Sequence, residues 1–155
     1  MFSISRQSAK AKGRAGEMEV LGMLSNIIRQ EYATRGWPWP EHGVLRRGPN
    51  GKDIVGLAWL APEVKRHEKV NDFSMEMWWN QAKDNAPKGS EAVLLWRQNN
   101  ACWRVRMFGR LAFGAGGAVR CPVDITIENF LLWFQHRLRF EYDKLASSVS
   151  RASNS

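Results

Sequence analysis

Four residues of this chain have the types that metal-assisted hydrolysis of a phosphodiester needs. They are three carboxylates and one lysine: Glu17, Asp53, Glu63 and Lys65. Magnesium takes hard oxygen ligands, usually one or two carboxylates together with water and a substrate phosphate. The metal lowers the pKa of the attacking water, and a lysine can hold or orient that water. No single one of these residues is diagnostic, so the elements that carry them decide whether they can meet.

Glu63 and Lys65 lie in the segment 60–66, whose composition predicts a strand. Residues two apart in a strand share one face, so the carboxylate and the ammonium should be neighbours while Val64 turns to the other face. An ordinary ion pair on a solvated strand face explains the same triplet. Pro62 cannot donate to a sheet ladder, and it therefore marks an edge, a bulge or the connecting turn.

Asp53 makes the pattern more specific. It stands at the head of a second predicted strand, residues 53–57, directly behind the polar loop 46–52. An aspartate at such a place can also serve simple turn chemistry. The short stretch between Asp53 and Glu63 requires a tight connection between the two strands.

Glu17 lies in a segment, residues 14–32, whose apolar residues recur at helical spacing. At about 100° per residue, Leu21, Leu24 and Ile28 fall within roughly 40° of Glu17 around the helix, whereas Glu19 points to nearly the opposite side. Burying a lone carboxylate in that stripe costs several kcal/mol unless something pairs with it. The other interpretation is an acid in the first turn, where the helix dipole favours it.

The remaining segments predict a mixed α/β domain. A second helix is expected over about 74–85, a hairpin over 92–96 and 102–106 with its turn at Asn99-Asn100, and a last helix from an N-cap at Thr126 through Leu145. Residues 1–12 are predicted to be a basic arm and residues 147–155 a disordered polar tail. The length of 155 residues then leaves one domain over residues 13–146.

The net charge of +8 favours a polyanionic partner, nucleic acid first and an anionic membrane surface second. Solubility is the other explanation for this charge. Nine basic residues near the candidate site in sequence are the predicted DNA contacts: Arg6, Lys10, Lys12, Arg14, Arg46, Arg47, Lys52, Arg66 and Lys69.

No apolar run approaches the ~20 residues that a membrane span requires, so no membrane partner is expected. The two cysteines, Cys102 and Cys121, are too few for a zinc site with the scattered histidines. They are expected to be reduced thiols of a cytoplasmic protein.

The ordered set Glu17, Asp53 and Glu63-Val64-Lys65 resembles the PD-(D/E)XK nuclease superfamily. Within it, residues 12–19 are similar to the opening of archaeal-type Holliday junction resolvases, where Lys-Gly-x-x-x-Glu begins the first helix. Asn80-Gln81-Ala82 resembles the Gln-Ala that this family carries on the helix after the core strands. The resemblance spans about residues 10 to 85, roughly half of the chain.

This resemblance implies a restriction-endonuclease-like fold, a mixed central sheet flanked by helices. It implies that Glu17, Asp53 and Glu63 coordinate Mg²⁺, with Mn²⁺ as a substitute, that Lys65 acts on the attacking water and that Gln81 supports the site. The function expected is a homodimeric, structure-selective DNA endonuclease of recombination and repair that cuts four-way junctions. Two alternatives stay open: another nuclease of the superfamily, acting in repair, restriction or phage replication, and a non-catalytic DNA-binding module on the same scaffold.

Overall fold

A computed structural model describes residues 3–49 and 53–152, with side chains from Lys10 onward. Within these residues there are three helices and six strands. They are α1 (Ser3–Arg35), β1 (Arg46–Arg47), β2 (Ile54–Val55), β3 (Leu60–His67), α2 (Asp72–Asn85), β4 (Glu91–Gln98), β5 (Arg104–Gly114), β6 (Gly117–Thr126) and α3 (Ile127–Ala152).

The main sheet has the strand order β3-β4-β5-β6. β3 and β4 run parallel, whereas β4–β5 and β5–β6 are antiparallel. A parallel pair needs a long crossover, and α2 supplies it. β1 and β2 form a separate antiparallel pair. The predicted single mixed α/β domain with a helix-flanked sheet is confirmed.

β3 forms one edge of this sheet, which explains how it accommodates Pro62. The amide groups of Leu60 and Val64 donate away from β4, to the Leu57 carbonyl and the Asp53 carboxylate. Pro62 has the same parity in the strand, so its missing N–H removes no bond to β4. The interpretation of Pro62 as an edge residue is confirmed.

The sheet separates two apolar layers. Val93 and Leu95 of β4 pack in the larger core with α1 and α3, while Ala92 and Leu94 pack on the other face with α2. Successive strand residues point to opposite faces, so the fully apolar run in β4 is the expected sequence of a strand buried on both sides.

An ion pair fixes α1 against α3 inside the larger layer. Glu31 of α1 is buried and accepts hydrogen bonds from Arg139, at 2.9 to 3.1 Å, and from Gln135, at 3.0 Å. The hydrogen bonds from Arg139 hold the pKa of Glu31 below its ordinary value. This contact sets the position of the helix that also carries Glu17.

The predicted basic arm and the predicted disordered tail are both helical where the structure describes them. α1 already begins at Ser3, so most of the predicted arm 1–12 is helical, and residues 1–2 lie outside the description. This segment lacks apolar periodicity but is rich in alanine, lysine and other good helix formers. α3 continues to Ala152, and three serine hydroxyls of its last turns donate to carbonyls three or four residues earlier. Residues 153–155 lie outside the description.

The other predicted helices and strands are present with shifted ends. Two differences are larger: the strand predicted over 53–57 is only Ile54–Val55, and β1 lies within the predicted loop 46–52. α2 starts at Asp72 behind an Asn71 N-cap, and the Thr126 hydroxyl accepts a hydrogen bond from the Asn129 amide at 3.2 Å, as an N-cap of α3 does. β5 extends to Gly114, and β6 is a strand that the sequence did not predict. Within the described part of the chain, no helix combines the length and apolar character needed to cross a membrane.

Candidate active site

β3 places a nearly inaccessible carboxylate beside a lysine. Glu63 is only 3% exposed, and its Oε1 lies 2.8 Å from Nζ of Lys65. Its Oε2 accepts a hydrogen bond of 3.5 Å from Nδ2 of Asn85, at the end of α2. The predicted shared face of Glu63 and Lys65 is therefore confirmed, whereas a solvated strand face is ruled out for Glu63.

Asp53 directly precedes β2 and is tied to β3 by the backbone. The Val64 amide donates a 2.5 Å hydrogen bond to its Oδ2. The Gly48 amide donates to its carbonyl oxygen at 3.2 Å, which closes the loop between β1 and β2. These bonds hold the Asp53 carboxylate at the edge of β3, on the strand that carries Glu63.

The electrostatics of Asp53 reveal which groups surround it. Burial raises its pKa to about 6 from an ordinary value of 3.8, against the hydrogen bond from Val64, which lowers it. The negative charges of Glu63 and Glu17 raise this pKa further, and the positive charge of Lys65 lowers it. The charges of Glu17, Glu63 and Lys65 thus all act on Asp53.

Glu17 reaches the cluster from α1 in an ion pair. Its side chain is 18% exposed, and its Oε2 lies 2.7 Å from Nη2 and 2.8 Å from Nε of Arg47. Because α1 begins at Ser3, Glu17 is not in the first turn, and the helix-dipole interpretation is wrong. The preceding Gly16 permits a close approach of α1 to β3, since a Cβ there would lie 3.2 Å from Cβ of Arg66.

Asp53 and Glu63 are the residues that fit a divalent cation. Magnesium needs only one or two protein carboxylates, with water and phosphate filling the other positions. The repulsion between these two acids is a cost that a cation would remove. Glu17 is engaged by Arg47, and within residues 3–49 and 53–152 no three acid, histidine or cysteine side chains are grouped to hold a metal together.

A cavity of about 340 Å³ opens beside Glu63. Its walls come from β2, β3, the segment between them and the end of α2. Most of the lining is apolar, including Leu57, Pro62 and Ala82, and the polar side chains on it are Glu63 and Asn85. Of the four candidate residues, Glu63 lines this cavity, whereas Glu17, Asp53 and Lys65 do not.

The structure does not bring Gln81 into contact with the acids. Gln81 is exposed on α2 and lines a shallow groove with Asn85. Asn85 follows it by one helical turn and is the residue that contacts Glu63. The shared helix face could have indicated Asn85, because residues four apart lie on the same side of a helix.

Glu19 is a further acid whose contacts the sequence did not predict. Its Oε1 pairs with Arg66 at 3.0 Å and with Arg97 at 3.1 Å, and its Oε2 accepts a hydrogen bond of 3.1 Å from Nε1 of Trp103. This network fastens α1 to the main sheet from the side opposite Glu17.

The predicted DNA contacts divide into paired and unpaired residues. Arg47 and Arg66 are held by Glu17 and Glu19. Five others are exposed and make no ion pair among the described residues: Lys10, Lys12, Arg14, Arg46 and Lys69. Lys52 and the side chain of Arg6 lie outside the described residues.

The raised pKa of Asp53 predicts a pH-dependent stability of the metal-free protein. Below pH 3.8 the group is protonated both folded and unfolded, and above about pH 6 folding buries the ionised form at a cost. We expect Asp53→Asn to raise the free energy of unfolding by roughly 1–2 kcal/mol at pH 7.5, allowing for partial exposure, and to have little effect near pH 3.5. Denaturant unfolding with a chelator at both pH values measures this difference.

The matched control is Asp84→Asn, at an exposed aspartate of α2. Its effect should stay within about 0.5 kcal/mol at either pH. An Asp53→Asn variant that is less stable than the wild type at pH 7.5 would contradict the unfavourable burial of this charge.

Comparisons with models of protein families, with curated proteins and with solved structures found no match to this chain. What the site can do is therefore inferred from its residues and their geometry.

Proposed function

We propose that the protein is a magnesium-dependent DNA endonuclease that acts on branched DNA. The observation that carries this proposal is the placement of Asp53, Glu63 and Lys65 at β3. The Val64 amide is bonded to Asp53, Lys65 is paired with Glu63, and the charge of Glu17 on α1 acts on Asp53. A buried carboxylate that is paired with a lysine and lines a cavity is a common arrangement at functional sites.

The carboxylates, the lysine and their hydrogen-bond donors have different roles at this site. Asp53 and Glu63 hold Mg²⁺, or Mn²⁺ in its place. The metal, when bound, lowers the pKa of water and neutralises charge on the phosphate. Lys65 is positioned by Glu63 at 2.8 Å and orients the attacking water. Asn85 and the Val64 amide fix the two carboxylates, so that little reorganisation precedes the reaction.

Exposed basic residues next to the site supply contacts to DNA phosphates. Lys10, Lys12 and Arg14 lie on α1 shortly before Glu17, and Arg46 neighbours Arg47 on β1. Cations on both sides of a phosphate-cutting centre are what backbone binding requires. The net charge of +8 supports the same partner.

Four-way junctions are the substrate that we propose for this nuclease. The proposal rests on the resemblance of residues 12–19 and 80–82 to archaeal-type Holliday junction resolvases. A junction has approximate two-fold symmetry, and two opposed strands must be cut. A symmetric homodimer has two active sites related by the same symmetry and could cut both strands. Recognition would depend on shape and phosphate positions.

Changing the two metal-holding acids should separate cutting from binding. We expect Asp53→Asn and Glu63→Gln to abolish Mg²⁺-dependent cleavage of a four-way junction while junction binding persists, because each removes a ligand without removing a DNA-contacting cation. Glu68→Gln is the matched control, since Glu68 is an exposed acid just beyond β3, and it should cut at the wild-type rate.

Cleavage and gel-shift assays on the same samples measure both properties, with linear duplex, flap and fork DNA beside the junction. Wild-type cleavage rate in either acid variant would contradict the assignment of that residue. Preference for flap or fork DNA would favour another nuclease of the superfamily. Binding without cutting under every metal condition would favour a non-catalytic module.

The salt dependence of binding should report the basic residues at the site. The logarithm of affinity should fall with the logarithm of salt concentration with a slope of about −0.9 per phosphate contact. Replacing Arg46 and Arg47 together by alanine should flatten this slope by roughly two units. Lys144→Ala, near the Arg35 end of α1, is the control and should leave the slope unchanged. An unchanged slope in the double variant would place the DNA on another face.

A further inference from the structure

Arg47 forms an ion pair with Glu17 in the DNA-free protein. Its Nε and Nη2 both contact Oε2 of Glu17, at 2.8 and 2.7 Å. Two donors of a planar guanidinium on one carboxylate oxygen form a charge-assisted contact with a defined geometry. This ion pair occupies the carboxylate that α1 contributes to the cluster.

The backbone of Arg47 lies next to that of Asp53, while its side chain contacts Glu17 and is partly exposed. Arg47 pairs with Ile54, the residue that follows Asp53, and the next amide, of Gly48, donates to the Asp53 carbonyl. Its side chain is 41% exposed, whereas Glu17 is 18% exposed. The guanidinium therefore borders the acid cluster and also remains accessible to a ligand.

The element that carries Arg47 is small. β1 has two residues and pairs only with β2, which also has two. A partly exposed ion pair is one of the weaker interactions in a protein. A guanidinium binds phosphate in the same forked manner as it binds a carboxylate, so a DNA phosphate can compete directly with Glu17 for Arg47.

Release of Arg47 from Glu17 by a phosphate would change the balance of charge at the site. Glu63 is paired with Lys65 and Glu17 with Arg47, whereas the described contacts of Asp53 include no cation within salt-bridge distance. If Arg47 leaves Glu17 for a phosphate, a second carboxylate beside Asp53 loses its partner. The site then has one more uncompensated negative charge than before.

We propose that Arg47 couples DNA binding to metal binding by exchanging Glu17 for a DNA phosphate. In the free protein Arg47 caps Glu17, and Asp53 and Glu63 alone are available to the metal. When a phosphate takes Arg47, the uncompensated charge of Glu17 strengthens the attraction of the site for the cation. The inference rests on the proposed function. By linkage, the factor by which DNA raises metal affinity is the factor by which the metal raises DNA affinity.

Titration of the DNA-free protein with Mn²⁺ tests directly whether the Arg47–Glu17 ion pair lowers metal affinity. Electron paramagnetic resonance measures the concentration of free Mn²⁺ during the titration. We expect Arg47→Ala to bind Mn²⁺ about fivefold more tightly than the wild type, the factor that corresponds to a strong exposed ion pair. Arg46→Ala is the matched control, because it removes the same charge from the neighbouring residue of β1, which makes no contact with Glu17 among the described residues. Its affinity should change by less than about twofold.

The Glu17→Gln/Arg47→Ala double variant identifies the carboxylate responsible. It should lose the gain in Mn²⁺ affinity, since the two substitutions act on one interaction. Arg47→Gln serves as a second variant that keeps the length of the side chain, and thermal melts verify that every variant is folded.

Three results would contradict the exchange of Arg47 between Glu17 and phosphate. They are equal Mn²⁺ affinity of Arg47→Ala and Arg46→Ala, a weaker affinity of Arg47→Ala than of the wild type, and a gain in affinity that persists in the Glu17→Gln/Arg47→Ala variant. Cleavage of a four-way junction by the wild type in Mg²⁺, measured beside the titration, distinguishes failure of the Arg47 exchange from failure of the proposed function. If the wild type cuts and the gain is absent, only the exchange fails. If the wild type neither binds Mn²⁺ nor cuts DNA, the proposed function fails and the exchange with it.

Discussion

The burial of Glu63 is the constraint on which the candidate site depends. A carboxylate that is 3% exposed would be strongly destabilising if it stood alone. Lys65 compensates it from the same strand face, and Asn85 reaches its second oxygen from the end of α2. The parallel pairing of β3 with β4 makes α2 the crossover, and that crossover brings Asn85 to β3. The strand, the crossover and the ion pair therefore have to form together.

The parts of the fold that could be predicted from sequence are those with a strong local pattern. Helical spacing marked the packed part of α1, and alternation or apolar runs marked β3, β4 and the start of β5. β6 was not predicted because it is an edge strand that contains Pro122 and because none of its residues is buried. The helical ends were missed because propensity and serine hydrogen bonds, rather than apolar spacing, extend α1 and α3.

For the site, residue type and order along the chain identified the acids and the lysine but not their partners. Asp53, Glu63 and Lys65 lie together at β3, and the charge of Glu17 acts on Asp53 from α1. The contacts that fix them join residues far apart in sequence, such as Arg47 with Glu17, and no local pattern encodes such a pair. The same limit explains why Gln81 was predicted in place of Asn85. Both lie on one face of α2, and only the packing of α2 on β3 distinguishes them.

The most direct test of this account is the position of a bound cation. Crystals of the protein soaked in Mn²⁺ and measured at a wavelength with anomalous signal locate the ion independently of any assay of activity. We expect an anomalous peak next to the Asp53 and Glu63 carboxylates, since a hard cation prefers oxygen ligands. The peak should be absent in Asp53→Asn crystals. A fully occupied Mn²⁺ elsewhere on the protein, with none at these two acids, would contradict the account.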